Sequence, residues 1–222
     1  KDWTLAASIE SDLSLTSSLK RLSENIEDLE TAVGDRWLSL ALCKQAKPAF
    51  IQCNEFPGLI GCEDSGHIVL PILSSQNKWG LVGDGAMTLI STILARSVLK
   101  SLDVNNKFTS GWKLRKSVKE VDRKLWDGNN ELSVQIHDLA EEWFTNYSNS
   151  TKLSNVNING SKSLLLLQGT IEKHPFSLGI RNSGTEAKIS VSLRLSPGCK
   201  ELISKDPSEL VEILCKHLSR NM

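Results

Sequence analysis

Over the first hundred residues, apolar patterns of strand and helix type take turns. WTLAASIE (3–10) is rich enough in apolar and small residues for a strand. LSLTSSLKRLSE (13–24) places Leu15, Leu19 and Leu22 at helical spacing. TAVGDRWLSLALCKQ (31–45) opens on a glycine turn and continues as a helix through Trp37, Leu40 and Ala41. AFIQC (49–53) and HIVLPIL (67–73) read as strands, with GLIGCEDSG (58–66) as the loop between them. VGDGAMTLISTILARSVLKSL (82–102) predicts the clearest helix. Asp84 is its expected N-cap, and Met87, Ile90, Leu94, Ser97 and Val98 form one face. Strands alternating with helices predict an α/β sheet-and-helix layer domain over residues 1–104.

The order changes after DVNNKFTSG (103–111), a polar, turn-rich stretch that predicts a linker. WKLRKSVKEVDRKLW (112–126) predicts a helix with Leu114, Val118, Val121 and Leu125 on one face. ELSVQIHDLAEEWF (131–144) repeats the logic with Ile136, Leu139, Ala140 and Trp143. A polar connection (146–161) has room for a short strand. SLLLLQGT (163–170), PFSLGIR (175–181) and AKISVSLRL (187–195) are three strand patterns at short spacing. The last helix is signed by Asp206 as N-cap, Pro207 at the first helical position and Glu209 completing a capping box. Val211, Leu214, Cys215 and Leu218 are its apolar face. Strands in succession with helices outside them predict a second, smaller α+β domain over residues 105–222, an antiparallel sheet packed by helices.

Composition narrows the function classes. Of 222 residues, 40% are apolar and 23% charged, an ordinary globular balance. The 26 basic residues are matched by 26 acidic ones with no long basic run, so general nucleic-acid binding has no support. Any anion site must be local. The five cysteines (Cys43, Cys53, Cys62, Cys199, Cys215) lack C-x-x-C spacing and read as reduced thiols of a cytoplasmic protein, with no zinc site expected. The N-x-S/T matches at Asn146, Asn149 and Asn159 do not imply secretion without a signal peptide. No apolar run approaches a membrane span. The chain opens on Lys1 with no initiator Met or targeting pattern, which predicts a piece of a longer protein or a processed one.

Two stretches concentrate chemistry. In RNSGTE (181–186), Arg181 offers a planar fork of donors suited to two phosphate oxygens. Ser183 and Thr185 add hydroxyls, and Gly184 permits positive φ, which aims successive N–H groups into a concave nest. The plainer reading is a hairpin turn flanked by an arginine, and composition alone favours it. In GCEDSGH (61–67), Glu63 and Asp64 accept hydrogen bonds, Ser65 donates and accepts, and Gly66 allows a tight turn before His67. Paired acceptors on such a loop suit sugar hydroxyls. The alternative is a polar interstrand loop with a structural histidine. Metal binding has no recognised ligand spacing there. VGDRW (33–37) presents Asp35 and Arg36 from a glycine turn, and by itself reads as a solvated helix start. The Asp of GDG (83–85) reads as a cap. His137, His174 and His217 fall on helical or turn patterns, and no Ser/His/Asp arrangement follows from spacing.

Taken in order, TAVGDRW, GCEDSGH, VGDGA at a helix start and RNSGTEAKISV near the C-terminus resemble the α-D-phosphohexomutases. These are isomerases that include phosphoglucomutases, phosphomannomutases and phosphoglucosamine mutases. The resemblance covers the whole chain but only the second half of a family member, its third and fourth domains. It implies that Glu63 and Ser65 of the family's G-E-x-S-G-H sugar loop contact hexose hydroxyls, with His67 closing the motif and Arg36 of the VGDR turn facing the sugar. Cys62 stands where glycine is usual. It also implies that Arg181, Ser183, Gly184 and Thr185 of the R-x-S-G-T-E-P loop bind the non-transferring phosphate, with Ala187 in place of the usual proline. The family's phosphorylated-serine loop and its D-G-D-x-D-R magnesium loop do not occur in these residues. The resemblance therefore implies no catalytic residue here, Mg²⁺ bound outside the chain, and an isolated chain that binds hexose phosphates without turning them over. Its expected partners are hexose phosphates, their bisphosphates and the missing N-terminal half. VGDR and SGHIVL lean towards phosphoglucosamine mutases, SGTEAK towards phosphoglucomutases. A non-catalytic sugar-phosphate-binding or regulatory module and a degenerate structural homologue are the competing readings.

Overall fold

The computed structural model describes residues 2–21, 25–45, 57–98, 108–147, 151–184 and 186–222. The chain forms two compact units: Lys1–Ser11 with Leu15–Thr109, and Asp12–Ser14 with Ser110–Met222. The second is the longer, not the smaller as expected. Asp12 joins it because Gly111 N–H donates to both carboxylate oxygens at 3.1 Å.

The first unit is an α/β layer. It runs β1 (Trp3–Ser8), α1 (Ser14–Lys20), β2 (Ile26–Thr31), α2 (Asp35–Gln45), β3 (Leu59–Cys62), β4 (Ile68–Leu73), β5 (Trp79–Gly83) and α3 (Gly85–Val98). The sheet order is β2-β1-β3-β4-β5, parallel across β2, β1 and β3 and antiparallel beyond. Burial of Ala6, Leu38, Leu42, Leu59 and Val69 seats α2 on the sheet. A Cβ on Gly61 would lie 3.1 Å from side-chain carbons of both Leu38 and Val69, so the helix–sheet contact is tight there.

Three expectations change in this unit. The supposed loop 58–66 contains β3, whose short LIGC segment alternates buried and half-buried positions. The segment before Asp84 is β5, paired with β4. In α3, Asp84 does cap, accepting from Met87 N–H at 2.8 Å. None of the helix's described residues is buried, however, and Leu94 and Val98 are 59% and 80% exposed. The strand expected at 49–53 lies outside the described residues.

The second unit carries β6 (Trp112–Lys119), a 3-10 turn (Arg123–Leu125), α4 (Glu131–Thr145), β7 (Ser154–Asn155), β8 (Leu164–Ile171), β9 (His174–Asn182), β10 (Lys188–Leu195), α5 (Pro197–Leu202) and α6 (Ser208–Asn221). Its sheet is antiparallel throughout, ordered β6-β10-β9-β8-β7. Alternate residues of β10, Ile189, Val191, Leu193 and Leu195, join one core with Ile136 and Phe144 of α4 and with α6. Phe144 stacks on Phe176 at 3.9 Å between centroids. The helix expected at 112–126 is instead β6 and the 3-10 turn. Positions 114 and 118 are four apart, which satisfies a helical face and an alternating strand equally; pairing with β10 decides for the strand. Among the described residues no helix is long and apolar enough to cross a membrane.

Candidate functional site

The turn between β3 and β4 is closed by its backbone. Glu63 N–H donates to His67 O at 3.0 Å and Gly66 N–H to Glu63 O at 3.1 Å. Gly66 takes φ +87°, a region that favours glycine. The Glu63 carboxylate is then fixed from two sides. Its Oε1 accepts from Gly34 N–H at the start of α2, and its Oε2 accepts from Ser65 Oγ at 3.1 Å. Placing a carboxylate at a helix N-terminus is electrostatically favourable. Gly34 itself has φ +122°.

Asp35, the next residue, reaches His67: Oδ2 to Nδ1 is 3.2 Å, with the two side chains 31% and 54% exposed. A carboxylate only accepts, so Nδ1 carries the proton and Nε2 is left for a ligand. The other Asp35 oxygen, Oδ1, is buried with no hydrogen-bond partner among the described residues. The end of β5 closes on this pair, because a Cβ on Gly83 would lie 2.6 Å from Asp35 Oδ2. Burial, assisted by the neighbouring Glu63 charge, pushes the Cys62 thiol up to about 11, so it stays protonated under this turn at neutral pH.

Ligating atoms of Asp35, Glu63 and His67 lie within 4.8 Å of one another. They do not suit Mg²⁺, which asks for an octahedron of oxygens. One donor is an imidazole, and both Glu63 oxygens are occupied by Gly34 and Ser65. The arrangement presents a fixed carboxylate, a hydroxyl and an imidazole on an open turn, a set suited to neutral hydroxyl groups.

The RNSGTE segment begins on β9, where Arg181 pairs with Ser190 of β10 and Leu164 of β8. Ser183 closes the loop twice. Its N–H donates to Lys188 O at 3.0 Å, and its Oγ accepts from Glu186 N–H at 3.2 Å. Lys188 holds the Glu186 carboxylate at 3.0 Å. Gly184 does not adopt positive φ, contrary to expectation, and a Cβ there would meet nothing within 4 Å. The serine hydroxyl forms the turn, so glycine contributes open space and not a left-handed bend. Asn182 donates to Arg123 O at 3.1 Å and Trp126 O at 2.9 Å, and Arg123 returns a bond to Ser183 O at 2.7 Å. Thr185 lies outside the described residues.

The structure therefore gathers Glu63, Ser65 and His67 on one turn, and Arg181, Ser183 and Gly184 on one hairpin. Arg36 is exposed with its guanidinium 5.1 Å from the centroid of the Trp37 ring. The VGDR residues that meet the Glu63 turn are Gly34, through its N–H, and Asp35, through its side chain. The contact of Asp35 with His67 was invisible to spacing because the two are 32 positions apart. Arg123, on a segment read as helix, was also missed.

No protein-family model and no curated protein sequence matches the chain. A solved structure does. The fold is similar to that of an N-acetylglucosamine-phosphate mutase in its apo form, a member of the α-D-phosphohexomutase superfamily, with a TM-score of 0.50 and 13% identity. The match covers 99% of this chain and 37% of that protein. At this identity the likeness is one of fold.

Proposed function

We propose that this chain is the C-terminal, substrate-binding half of a cytoplasmic phosphohexomutase, an isomerase that interconverts hexose 1- and 6-phosphates through a phosphoserine and a bisphosphate intermediate. The Glu63 turn takes hexose hydroxyls, with Ser65 and His67 as its other polar contacts. The Arg181 hairpin, with Ser183, Gly184 and Thr185, takes the phosphate that is not being transferred. Mg²⁺ and the phosphorylated serine belong to residues outside these 222, so the chain binds and orients without transferring phosphate.

The observation that carries this reading is the anchoring of the Glu63 turn. Gly34 N–H holds its carboxylate and Asp35 holds its imidazole, both from the VGDR turn. Acceptors fixed before the ligand arrives lose little freedom on binding. A clamp on the phosphate with hydroxyl contacts of both donor and acceptor type suits a ligand that must bind in two orientations.

Titration calorimetry with glucose 1-phosphate, glucose 6-phosphate and inorganic phosphate tests it. Glu63→Gln should weaken both hexose phosphates and leave inorganic phosphate unchanged. Arg181→Gln should weaken all three. A chain that binds neither hexose phosphate, or whose affinity ignores Arg181→Gln, overturns the proposal.

A further inference from the structure

The 3-10 turn and the RNSGTE hairpin hold each other by side chain and backbone in both directions. The Asn182 amide bonds Arg123 O and Trp126 O, while the Arg123 guanidinium bonds Ser183 O at 2.7 Å. The turn is itself rigid. Asp122 Oδ1 caps it by accepting from Lys124 N–H at 3.0 Å, and Trp126, 2% exposed, donates from Nε1 to Ser163 O at 3.1 Å. Arg123 thus stands beside the hairpin on a fixed support.

Among the described residues no carboxylate pairs with Arg123. Of the acids on the two segments, Asp122 caps the turn and Glu186 of the hairpin pairs with Lys188. Arg123 is half-buried, and a cation partly removed from water without a counter-charge is unfavourable. A carbonyl oxygen takes one of its five N–H donors and leaves a planar fork. Phosphate dianions are suited to that fork, and a second guanidinium balances the charge that Arg181 alone does not.

We infer that Arg123 is a second cationic ligand of the phosphate site, completing with Arg181 a clamp for a phosphate monoester dianion. This rests on reading the hairpin as a phosphate clamp. Arg123 both sets the backbone at Ser183 and contributes charge to the ligand.

The test uses methyl phosphate, which carries no sugar, titrated into the full chain at pH 7.5 and pH 5. A phosphate monoester loses its second proton near pH 6, so the two conditions compare dianion with monoanion. The titratable groups on the turn and the hairpin (Glu120, Asp122, Lys124, Asp127, Arg181, Glu186, Lys188) are common to all variants and cancel between them. Arg123→Gln should weaken binding about tenfold at pH 7.5 and clearly less at pH 5, flattening the preference for the dianion. Arg123→Lys keeps the charge, so it should keep that preference with only a few-fold loss. Wild-type affinity in Arg123→Gln overturns the inference. So does an equal loss at both pH values, which marks a residue that only shapes the loop. If Arg123→Gln does not fold, Arg123→Lys decides: retained dianion preference supports the inference and equal loss at both pH values overturns it. If the wild type does not bind methyl phosphate, or Arg181→Gln has no effect, the phosphate-clamp reading fails and Arg123's role with it. If Arg181→Gln abolishes binding while Arg123→Gln leaves it intact, only the Arg123 inference fails.

Discussion

Two glycines that look equivalent in the sequence work differently. Gly66 needs φ +87° with open space around it, so an added methyl group costs backbone strain alone. Gly66→Ala should destabilise the first unit by about 1 kcal/mol, the usual cost of a left-handed L-residue, seen as a lower Tm in calorimetry. Gly184→Ala meets neither strain nor contact and should change stability by less than about 0.5 kcal/mol. The cysteines separate similarly. Burial raises the Cys62 and Cys215 thiols to about 11 and Cys199 to about 12, whereas Cys43 is exposed. Because the thiolate reacts, N-ethylmaleimide at pH 8 should label Cys43 before those three, followed by peptide mass spectrometry. Labelling of Cys62 as fast as Cys43 would contradict the burial of the Cys62 thiol beneath the Glu63 turn. At this scale the motif residues were legible, but their partners were not. Asn182 occupies a variable slot of its motif and yet anchors the hairpin to Arg123 and Trp126.

Elements with strong end signals were read well and ambiguous ones were not. In α6 the helix is where the signals put it, but Pro207 and not Asp206 is its N-cap, without a side-chain cap bond; Asp206, two residues before the helix, closes its entry by accepting from Ser208 N–H on Oδ1 at 3.0 Å. That bond and the Ser208 hydroxyl hold the Asp206 carboxyl below its ordinary value. On the same helix, Lys116 of β6 holds Glu212 low, and Glu212 holds Lys116 high. Acids depressed on folding stabilise above their unfolded pKa, and that stability is lost as pH falls through the folded value. The Tm advantage of wild type over Asp206→Asn should therefore be full at pH 6 and vanish well below pH 4, the unfolded carboxylate range. A constant difference across that range would rule out the Asp206–Ser208 bond as its source. By contrast, β6 was misread because Leu114 and Val118 fit both periods, and α5 was missed because six residues show too little periodicity. No pattern in β6 names its partner; the pairing does.

At the scale of the whole molecule, the second unit has a broad core under three helices, while the first rests largely on α2 against its sheet. Phe144→Ala removes one partner of the stack with Phe176 and should cost about 3–5 kcal/mol, read as a lower urea midpoint. Backbone amides of β9 and β10 should exchange more slowly than those of β1 and β3; the reverse order would mean that burial does not rank local stability here. The sequence by itself determined the two sheet-and-helix classes, the Asp84 cap and the three central strands of the second sheet. These follow from local periodicity and from side-chain chemistry carried at fixed positions. Tertiary structure alone decided that 112–119 is a strand, that α3 presents its apolar residues outward, that Asp35 and not Arg36 meets the Glu63 turn, and that Arg123 stands at the RNSGTE hairpin. Each of those depends on groups far apart in the chain being brought within hydrogen-bonding or packing distance, and spacing along a sequence carries no record of that.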